Sequence, residues 1–428
     1  MLGKVRWQLV ALLFIAGIIN YLDRAALSVA APLITKELGL DPAQLGVVFS
    51  SFFFGYALFC FVGGYAADRY GPRLVLIVSM TVWSIFCGLT AAAVSVGSLV
   101  VLRVIFGMGE GPFCTTMAKF VGNWFPKAEQ ATAIGLANAG TPLGGAIAGP
   151  IVGFVALSYG WRASFILIAV IGLAWVLFWA ISSADSPAQH GRVSNAERSE
   201  IEQEMDVNAA TVQAQMPLSY YLRQPAVIAT GVAFFGYAYI LYFFLSWFPS
   251  YLTMALHLSI QKMAVVSVIP WALGFLGLAS GGFICDALGR KLGDPIAAPK
   301  LVMVVCLLMA ALAVALAGLV SSLEAVVALI ATAVFFMYLS GPTYWMIVLG
   351  LVEPGRVGGT AGFVHLIANT AGIVAPLVTG LIVEKTGSFV SAFVLAGLLA
   401  TAGALLVAFL VRGRSAMPAG HAAVAQPG

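Results

Sequence analysis

Long apolar runs follow one another along most of the 428-residue chain and constrain its fold more than any other feature. Backbone N–H and C=O groups inside a bilayer must be paired within the protein, and an apolar helix of about 20 residues achieves this while it crosses the hydrocarbon. Twelve runs reach that length, at residues 8–31, 44–67, 74–95, 98–121, 130–156, 162–183, 223–248, 262–285, 300–320, 322–346, 357–383 and 388–411. They predict an all-α integral membrane protein with twelve transmembrane helices.

Composition and charge placement agree with a multi-pass membrane protein. Charged residues make up 9% of the chain, against about a quarter in soluble domains. The termini and alternate connections are rich in basic residues: Lys4, Arg6, Arg69, Arg73, Lys127, Arg192, Arg198, Arg290, Lys291, Arg356, Arg412 and Arg414. The remaining connections hold Lys36, Arg162, Lys262 and Lys385. The positive-inside rule then predicts that both termini and the central linker lie in the cytoplasm. The absence of an Asn-x-Ser/Thr sequon fits a bacterial inner (plasma) membrane.

The same charge distribution explains the net charge of +4, so nucleic acid is not an expected partner. The five cysteines lie in apolar runs without metal-ligand or CxxC spacing, which favours buried thiols over disulfides or a metal site. We expect no cofactor and a monomeric protein.

An internal repeat divides the chain into two halves. Residues 63–71 (GGYAADRYG) match residues 281–289 (GGFICDALG), and the Gly-Pro pair at residues 111–112 has a counterpart at residues 341–342. Parallel repeats of this kind imply halves related by a pseudo-twofold axis along the membrane normal, with a site between them. The predicted domains are residues 1–183, a cytoplasmic linker 184–222, residues 223–411 and a disordered tail 412–428.

The linker is acidic between Asp185 and Gln215. Its residues 194–197 (SNAE) have the character of a capping box, which predicts a short surface helix. A solvated linker is the alternative interpretation.

An acid and a base lie in the middle of the first apolar run, within Asn20-Tyr21-Leu22-Asp23-Arg24-Ala25. Each costs roughly 2.5–3.5 kcal/mol in hydrocarbon on the insertion scale, so both are expected to face protein or water and to be functional. Arg103 and Glu110 occupy the fourth run seven residues apart, on one helix face but about 10.5 Å apart along the axis. That separation is too long for an ion pair, and Asp23 is the best candidate partner for Arg103. Arg24 would then be left for a substrate carboxylate, with Tyr21 beside it.

We therefore predict Asp23 and Glu110 as proton sites. A static network of interhelical charges is the alternative. The seventh run is aromatic and uncharged; Tyr242, and less surely Tyr239, are candidates for substrate contact. His365 and Asn369 are one helical turn apart and can bind substrate or join helices through hydrogen bonds.

The pattern Gly64-x-x-x-Asp68-Arg69-x-Gly71-x-Arg73 resembles the signature loop of the major facilitator superfamily. Stretches at residues 20–25, 102–103, 109–112, 123–126 and 243–252 are similar to the anion:cation symporter family, which includes galactonate, glucarate and hexuronate transporters and sialin. The resemblance implies that residues matching Asp23 and Glu110 carry protons. It also implies that those matching Arg24 and Arg103 handle the substrate carboxylate.

Two positions depart from the sugar-acid members. An asparagine of the eleventh span and a glutamine of the fifth correspond here to His365 and Thr141, which the resemblance places near the substrate. By the same resemblance, Asp68, with Arg69 and Arg73, forms a gate latch, and Asp286 is its weaker counterpart. A purely topological role of this loop is the alternative.

The leading functional hypothesis is proton-coupled uptake of a small organic anion, a sugar acid or another carboxylate, by alternating access, with the proton as coupling ion. The alternative is a proton-driven antiporter that exports a drug or metabolite, because residues 145–153 (GAIAGPIVG) resemble an antiporter motif. The same glycine spacing also simply permits close helix packing. No catalytic set or phosphate loop supports an enzyme.

Overall fold

The computed structural model describes residues 4–206, 216–292, 294, 296–352 and 356–412, and these form helices without strands. Inside the helices, the side chains of Asp68 and Asp286 are outside the described part. The helices are α1 Val5–Leu38, α2 Pro42–Tyr70, α3 Pro72–Leu89, α4 Val96–Glu110, α5 Phe113–Trp124, α6 Lys127–Asn138, α7 Gly140–Tyr159, α8 Trp161–Ser182, α9 Asn195–Asp206, α10 Leu218–Leu222, α11 Pro225–Met254, α12 Ile260–Val266, α13 Val268–Leu292, α14 Ala297–Ala317, α15 Leu323–Leu351, α16 Val357–Thr386 and α17 Val390–Leu410.

The twelve predicted membrane spans are confirmed. Twelve helices or consecutive helix pairs in the described ranges are long and apolar enough to cross a bilayer. The fourth span is the pair α4 and α5, which meet at Gly111-Pro112. Pro112 has no N–H to donate to the helix ladder, so the span is interrupted directly after Glu110.

The chain forms two compact units. Unit 1 comprises Met1–Thr211, Leu245–Val268 and Pro376–Gly387, and unit 2 comprises Val212–Phe244, Ile269–Ala375 and Ser388–Gly428. Each unit is built mainly from one of the halves that the repeat predicts. Unit 1 also includes two segments from the second half, so the boundaries of the compact units differ from the boundaries of the repeat.

Glycines in unit 1 allow neighbouring helices to pack with their backbones in direct contact. A Cβ atom added to Gly107 of α4 would lie 2.0 Å from the carbonyl oxygen of Phe52 on α2, and one added to Gly55 of α2 would lie 2.0 Å from that of Val104. Similarly, a Cβ atom on Gly140 of α7 would lie 2.1 Å from the carbonyl oxygen of Phe14 on α1. Only glycine fits such contacts, which place α1 against α7 and α2 against α4.

The internal repeat has the same packing in unit 2. A Cβ atom on Gly277 or Gly281 of α13 would lie 2.3 Å from the carbonyl oxygen of Phe335 or Leu339 on α15. The second and fourth spans, and the eighth and tenth spans, therefore pack on each other through glycine contacts within their own units.

The glycine-rich stretch of α7 has a packing role. A Cβ atom on Gly149 would lie 2.5 Å from the carbonyl oxygen of Ala264 on α12, and one on Gly153 would lie 2.9 Å from the Cβ atom of Ala264. Helix packing within unit 1 thus accounts for the spacing that resembles an antiporter motif.

The linker contains the helix α9, and this helix packs on the start of α1. The carboxylate of Glu197 accepts hydrogen bonds from the backbone N–H groups of Val5 (3.2 Å) and Arg6 (3.1 Å), so it caps the N-terminus of α1. Glu200 forms ion pairs with Lys4 (2.6 Å) and Arg6 (2.8 Å). Hydrogen bonds from Lys4 and Arg6 hold the pKa of Glu200 below its ordinary value. This part of the linker is a docked helix rather than a solvated chain.

Replacing Gly107 with alanine is expected to destabilise the protein by about 1–3 kcal/mol, because the added methyl group overlaps the carbonyl oxygen of Phe52. Gly122→Ala on α5 is the matched control, since no atom lies within 4 Å of the added Cβ atom. The control should be neutral or stabilising by up to about 1 kcal/mol. Thermal unfolding in detergent measures both variants; equal stability of the two would contradict the α2–α4 contact.

Candidate functional site

The charged residues predicted from the first and fourth spans are all buried in unit 1. Asp23 and Glu110 have 0% of their surface exposed, Arg103 has 4% and Arg24 has 7%. Asn20 and Arg24 are one turn apart on α1, and Arg103 and Glu110 are two turns apart on α4. The two carboxylates and two guanidinium groups have a summed formal charge of zero. Burying each charge costs several kcal/mol, and interactions between the opposite charges offset part of this cost.

Glu110 is the carboxylate that pairs with Arg24. Its Oε1 atom accepts hydrogen bonds from the Nε atom of Arg24 and from the Nδ2 atom of Asn20, the latter at 2.6 Å. Its Oε2 atom has no hydrogen-bond partner among the described residues. A buried carboxylate shared by a guanidinium and an amide is strongly oriented, since both donors fix the same oxygen atom.

The predicted pairing of Asp23 with Arg103 is wrong in this structure. Neither carboxylate oxygen of Asp23, nor the Nε atom of Arg103, has a hydrogen-bond partner in the described part of the chain. Arg24 also has a carboxylate partner, because it pairs with Glu110; its binding of a substrate carboxylate stays a prediction. Spacing within α4 correctly excluded an Arg103–Glu110 pair, but it could not show which α4 residue faces Arg24.

Aromatic rings surround both arginines. The Cζ atom of Arg24 lies 5.4 Å from the ring centroid of Tyr21, 5.1 Å from that of Phe52 and 4.5 Å from that of Tyr56. The predicted placement of Tyr21 beside Arg24 is confirmed. A desolvated cation over an aromatic face gains about 2 kcal/mol, so the rings compensate part of the cost of burying the charge.

Arg103 lies over the rings of Phe52 and Phe106, with its Cζ atom 4.8 Å from each centroid. Sequence analysis missed Asn20, Phe52, Tyr56 and Phe106 as members of this site. Asn20 belongs to the stretch singled out for its charges, one turn before Arg24, and that spacing was the available signal. Phe52 and Tyr56 on α2 had no such signal in the sequence, because aromatic residues are common in membrane spans.

Three other predicted residues form a hydrogen-bonded chain in unit 2. The hydroxyl group of Tyr242 donates to the Oδ1 atom of Asn369 at 3.0 Å. The Nδ2 atom of Asn369 lies 3.1 Å from the Nδ1 atom of His365. Phe234 and Trp345 flank the half-buried imidazole, with ring centroids 5.8 and 5.7 Å from it. The polar groups of α11 and α16 are thus joined within one unit.

Thr141 and Tyr239 have no comparable polar surroundings. The hydroxyl group of Thr141 donates to the backbone carbonyl of Asn138, 2.9 Å away on the preceding turn. The hydroxyl group of Tyr239 is buried without a hydrogen-bond partner among the described residues. A substrate role for Thr141 stays a prediction that rests on the family resemblance.

The loop after α2 docks on the end of α8. The backbone N–H of Arg73 donates to the Oδ1 atom of Asp185 at 2.8 Å, and its guanidinium donates to the carbonyl oxygen of Ala180 at 2.5 Å. Gly71 has φ +86°, and a Cβ atom there would lie 2.6 Å from the Asp185 carboxylate. Arg69 is exposed and lies over the ring of Tyr70. The side chains of Asp68 and Asp286 are outside the described residues, so their gating role stays a prediction.

The motif at residues 123–126 holds the start of the linker. Asn123 donates from Nδ2 to the carbonyl oxygen of Asp185 at 3.2 Å, and Trp124 donates from Nε1 to that of Ala184 at 3.0 Å. Asp185 is therefore fixed by α3 and α5 together. These contacts tie the signature loop, the motif and the linker into one part of unit 1.

The pairing in the charge cluster predicts unequal effects of removing its two carboxylates. Glu110→Gln should lower the free energy of unfolding by about 3–5 kcal/mol, because Arg24 loses its buried countercharge. Asp23→Asn is the isosteric control and should change stability by less than about 1 kcal/mol, because no hydrogen bond of Asp23 is lost. Thermal unfolding of purified protein in detergent measures both. A larger loss for Asp23→Asn would contradict the observed pairing.

Comparison with solved structures supports the fold. The inward open conformation of the xylose transporter XylE from E. coli matches with a TM-score of 0.74 at 14% identity, over 96% of this chain and 97% of that one. A bacterial homolog of the human lysosomal transporter Spinster matches with a TM-score of 0.71 at 19% identity, over 95% of each chain. At such identities the likeness concerns the fold alone.

Sequence relatives cover nearly the whole chain. It is 46% identical over 422 residues to the hexuronate transporter of Bacillus subtilis (strain 168), over 98% of each protein. It is 34% identical to the probable sulfoacetate transporter SauU of Cupriavidus necator, over 95% of this chain and 94% of that protein. The family model described as Major Facilitator Superfamily matches residues 13–348. With twelve spans, the glycine-packed repeat and these relatives, the chain belongs to the major facilitator superfamily of membrane transporters.

Proposed function

We propose that this protein is a proton-coupled symporter that takes up a hexuronate-type sugar acid by alternating access. The observation that carries the proposal is the buried Arg24–Glu110 pair, with Asp23 close by and unpaired. The similarity to a relative named hexuronate transporter supports the substrate class.

Arg24 is the group we assign to the substrate carboxylate. A guanidinium binds a carboxylate through parallel N–H donors, and the aromatic rings around Arg24 stabilise its buried charge. Glu110 already occupies the Nε donor. An incoming carboxylate therefore competes with Glu110 for Arg24.

This competition links substrate binding to proton binding. When the substrate carboxylate takes Arg24, an ionised Glu110 is left buried without its cation, which costs several kcal/mol. A proton on Glu110 removes that cost. Binding of the anion and binding of the proton thus favour each other, which is the coupling that symport requires.

Asp23 is assigned as a second proton site. An ionised carboxylate with no hydrogen-bond donor is costly in a fully buried position, and a proton on Asp23 removes this cost. Arg103, Arg24 and Glu110 are the charged groups that act on it electrostatically. A change in the position of either arginine would change the affinity of Asp23 for the proton.

For unit 2 we propose that Tyr242, Asn369 and His365 bind substrate hydroxyl groups. Their hydroxyl, amide and imidazole groups are joined by hydrogen bonds and include both donors and acceptors. A sugar hydroxyl group both donates and accepts hydrogen bonds, so a site that binds it needs both donors and acceptors. Thr141 is assigned to the substrate only through the family resemblance.

We propose that both termini lie in the cytoplasm, on the positive-inside rule. We propose the inner membrane as the location, because the sequence has no Asn-x-Ser/Thr sequon. The docking of α9 on the start of α1 supports a common side for the N-terminus and the linker. Export by proton antiport is disfavoured, because packing against Ala264 accounts for the glycine spacing that suggested it. A sulfonated carboxylate is the second candidate substrate, because SauU is named a probable sulfoacetate transporter.

Uptake into proteoliposomes with an imposed pH gradient tests this proposal. Labelled glucuronate should accumulate when the outside is more acidic and should not accumulate when the gradient is reversed. Unlabelled galacturonate should compete, and glucose should not, because it lacks the carboxylate. Competition by sulfoacetate alone would move the assignment to the second substrate class. Equal accumulation of glucuronate with the pH gradient in either direction would contradict proton coupling.

Glu110→Gln is expected to reduce gradient-driven accumulation by roughly 5–150-fold, the range of a typical coupling free energy. It should retain substrate counterflow, because Arg24 still binds the anion. Asp23→Asn should likewise lose accumulation. Glu324→Gln removes an exposed carboxylate elsewhere and is the control. If both cluster variants still concentrate glucuronate against its gradient, neither residue is a proton site.

A further inference from the structure

One aromatic ring, that of Phe52, is shared by the two buried arginines. The Cζ atom of Arg24 lies 5.1 Å from its centroid and that of Arg103 lies 4.8 Å from it. Arg24 comes from α1 and Arg103 from α4, while Phe52 belongs to α2. The ring is therefore the contact that joins the two cations of the cluster.

The ring is held firmly in place. Phe52 has 0% of its surface exposed, and its carbonyl oxygen lies at a close backbone contact between α2 and α4, against Gly107. Its ring packs on Phe106 at 5.2 Å, on Tyr56 at 5.6 Å and on Phe53 at 4.9 Å between centroids. A ring enclosed in this way cannot rotate without displacing its neighbours.

A π face attracts a guanidinium without accepting its N–H groups in ordinary hydrogen bonds. Arg24 can therefore be held by Phe52 while its Nε atom donates to Glu110. Arg103 is held over Phe52 and Phe106 while its Nε atom has no hydrogen-bond partner among the described residues. The rings thus contact Arg103 while neither carboxylate oxygen of Asp23 accepts a hydrogen bond in the described part of the chain.

We propose that Phe52 is a positioning residue for the proton-coupling cluster: its ring holds both guanidinium groups and so determines which carboxylate each can reach. The proposal rests on the proposed function, in which Glu110 and Asp23 exchange protons. The other ionisable groups on the helices packed around the cluster are Tyr21 on α1, Tyr56 and Cys60 on α2, Cys87 on α3 and Cys114 on α5.

Phe52→Leu removes the π face and keeps an apolar side chain. Arg103 then loses one of its two ring contacts and can pair with Asp23. A carboxylate that gains a cation binds a proton only at lower pH. The midpoint of glucuronate uptake against pH should therefore move to lower pH by roughly one unit, which corresponds to about 1.4 kcal/mol.

Two variants make the comparison specific. Phe52→Tyr keeps the ring and should leave the midpoint near that of the wild type. Phe120→Leu is the same substitution at an equally buried phenylalanine, whose ring packs on Trp124 and Trp179. It should reduce stability without moving the midpoint. If Phe52→Leu does not fold, Phe52→Met replaces it, because the unbranched, flexible methionine side chain adapts to an irregular space in the core.

A second measurement does not depend on transport. In thermal unfolding, Phe52→Leu and Glu110→Gln should be non-additive by at least about 2 °C, because both act on Arg24. Additive unfolding effects, or a Phe52→Leu midpoint equal to that of Phe120→Leu, would overturn the positioning role. Wild-type uptake that ignores the pH gradient, together with non-additive unfolding, would instead overturn the proposed symport and retain the role of Phe52 in placing the arginines.

Discussion

The buried ion pair between Arg24 on α1 and Glu110 on α4 is the interaction on which the rest of the site depends. Two charges inside a membrane span are tolerated only when they compensate each other and their remaining polar groups find donors or π faces. Asn20 supplies a second donor to Glu110, and Tyr21, Phe52 and Tyr56 face the cation. In the proposed function, the pair is also the contact that an anionic substrate opens when it binds Arg24.

Close backbone contacts between helices hold the buried charges of this site in their positions. The glycine approach of α4 to α2, at Gly107 and Gly55, sets the distance between the Arg103 helix and the ring of Phe52. The approach of α7 to α1 at Gly140 fixes the helix that carries Asp23 and Arg24. Because these contacts are made by backbone atoms, a small displacement of one helix moves a charged group with it. Helix packing and the positions of the buried charges therefore depend on the same few residues.

Sequence reasoning identified the charged residues but not their pairing. The seven-residue spacing on α4 excluded an Arg103–Glu110 pair, and the cost of an isolated cation then suggested Asp23 for Arg103. That step assumed that each arginine needs a carboxylate. The structure compensates Arg103 with the rings of Phe52 and Phe106 instead, and such compensation leaves no pattern in a sequence where aromatic residues are common. The contact of Tyr242 with Asn369 was likewise beyond reach, because residues 127 positions apart are joined only by the fold.

By itself, the sequence determined the number of spans, the repeat, the family and the residues that carry charge. These follow from local properties: apolar length, glycine and proline placement, and the cost of a charge in hydrocarbon. Only the tertiary structure decided that Arg24 faces Glu110, that the carboxylate of Asp23 accepts no hydrogen bond from the described residues, and that one ring contacts both arginines. Those outcomes depend on the rotation and separation of neighbouring helices, which close glycine contacts set and which no single helix encodes.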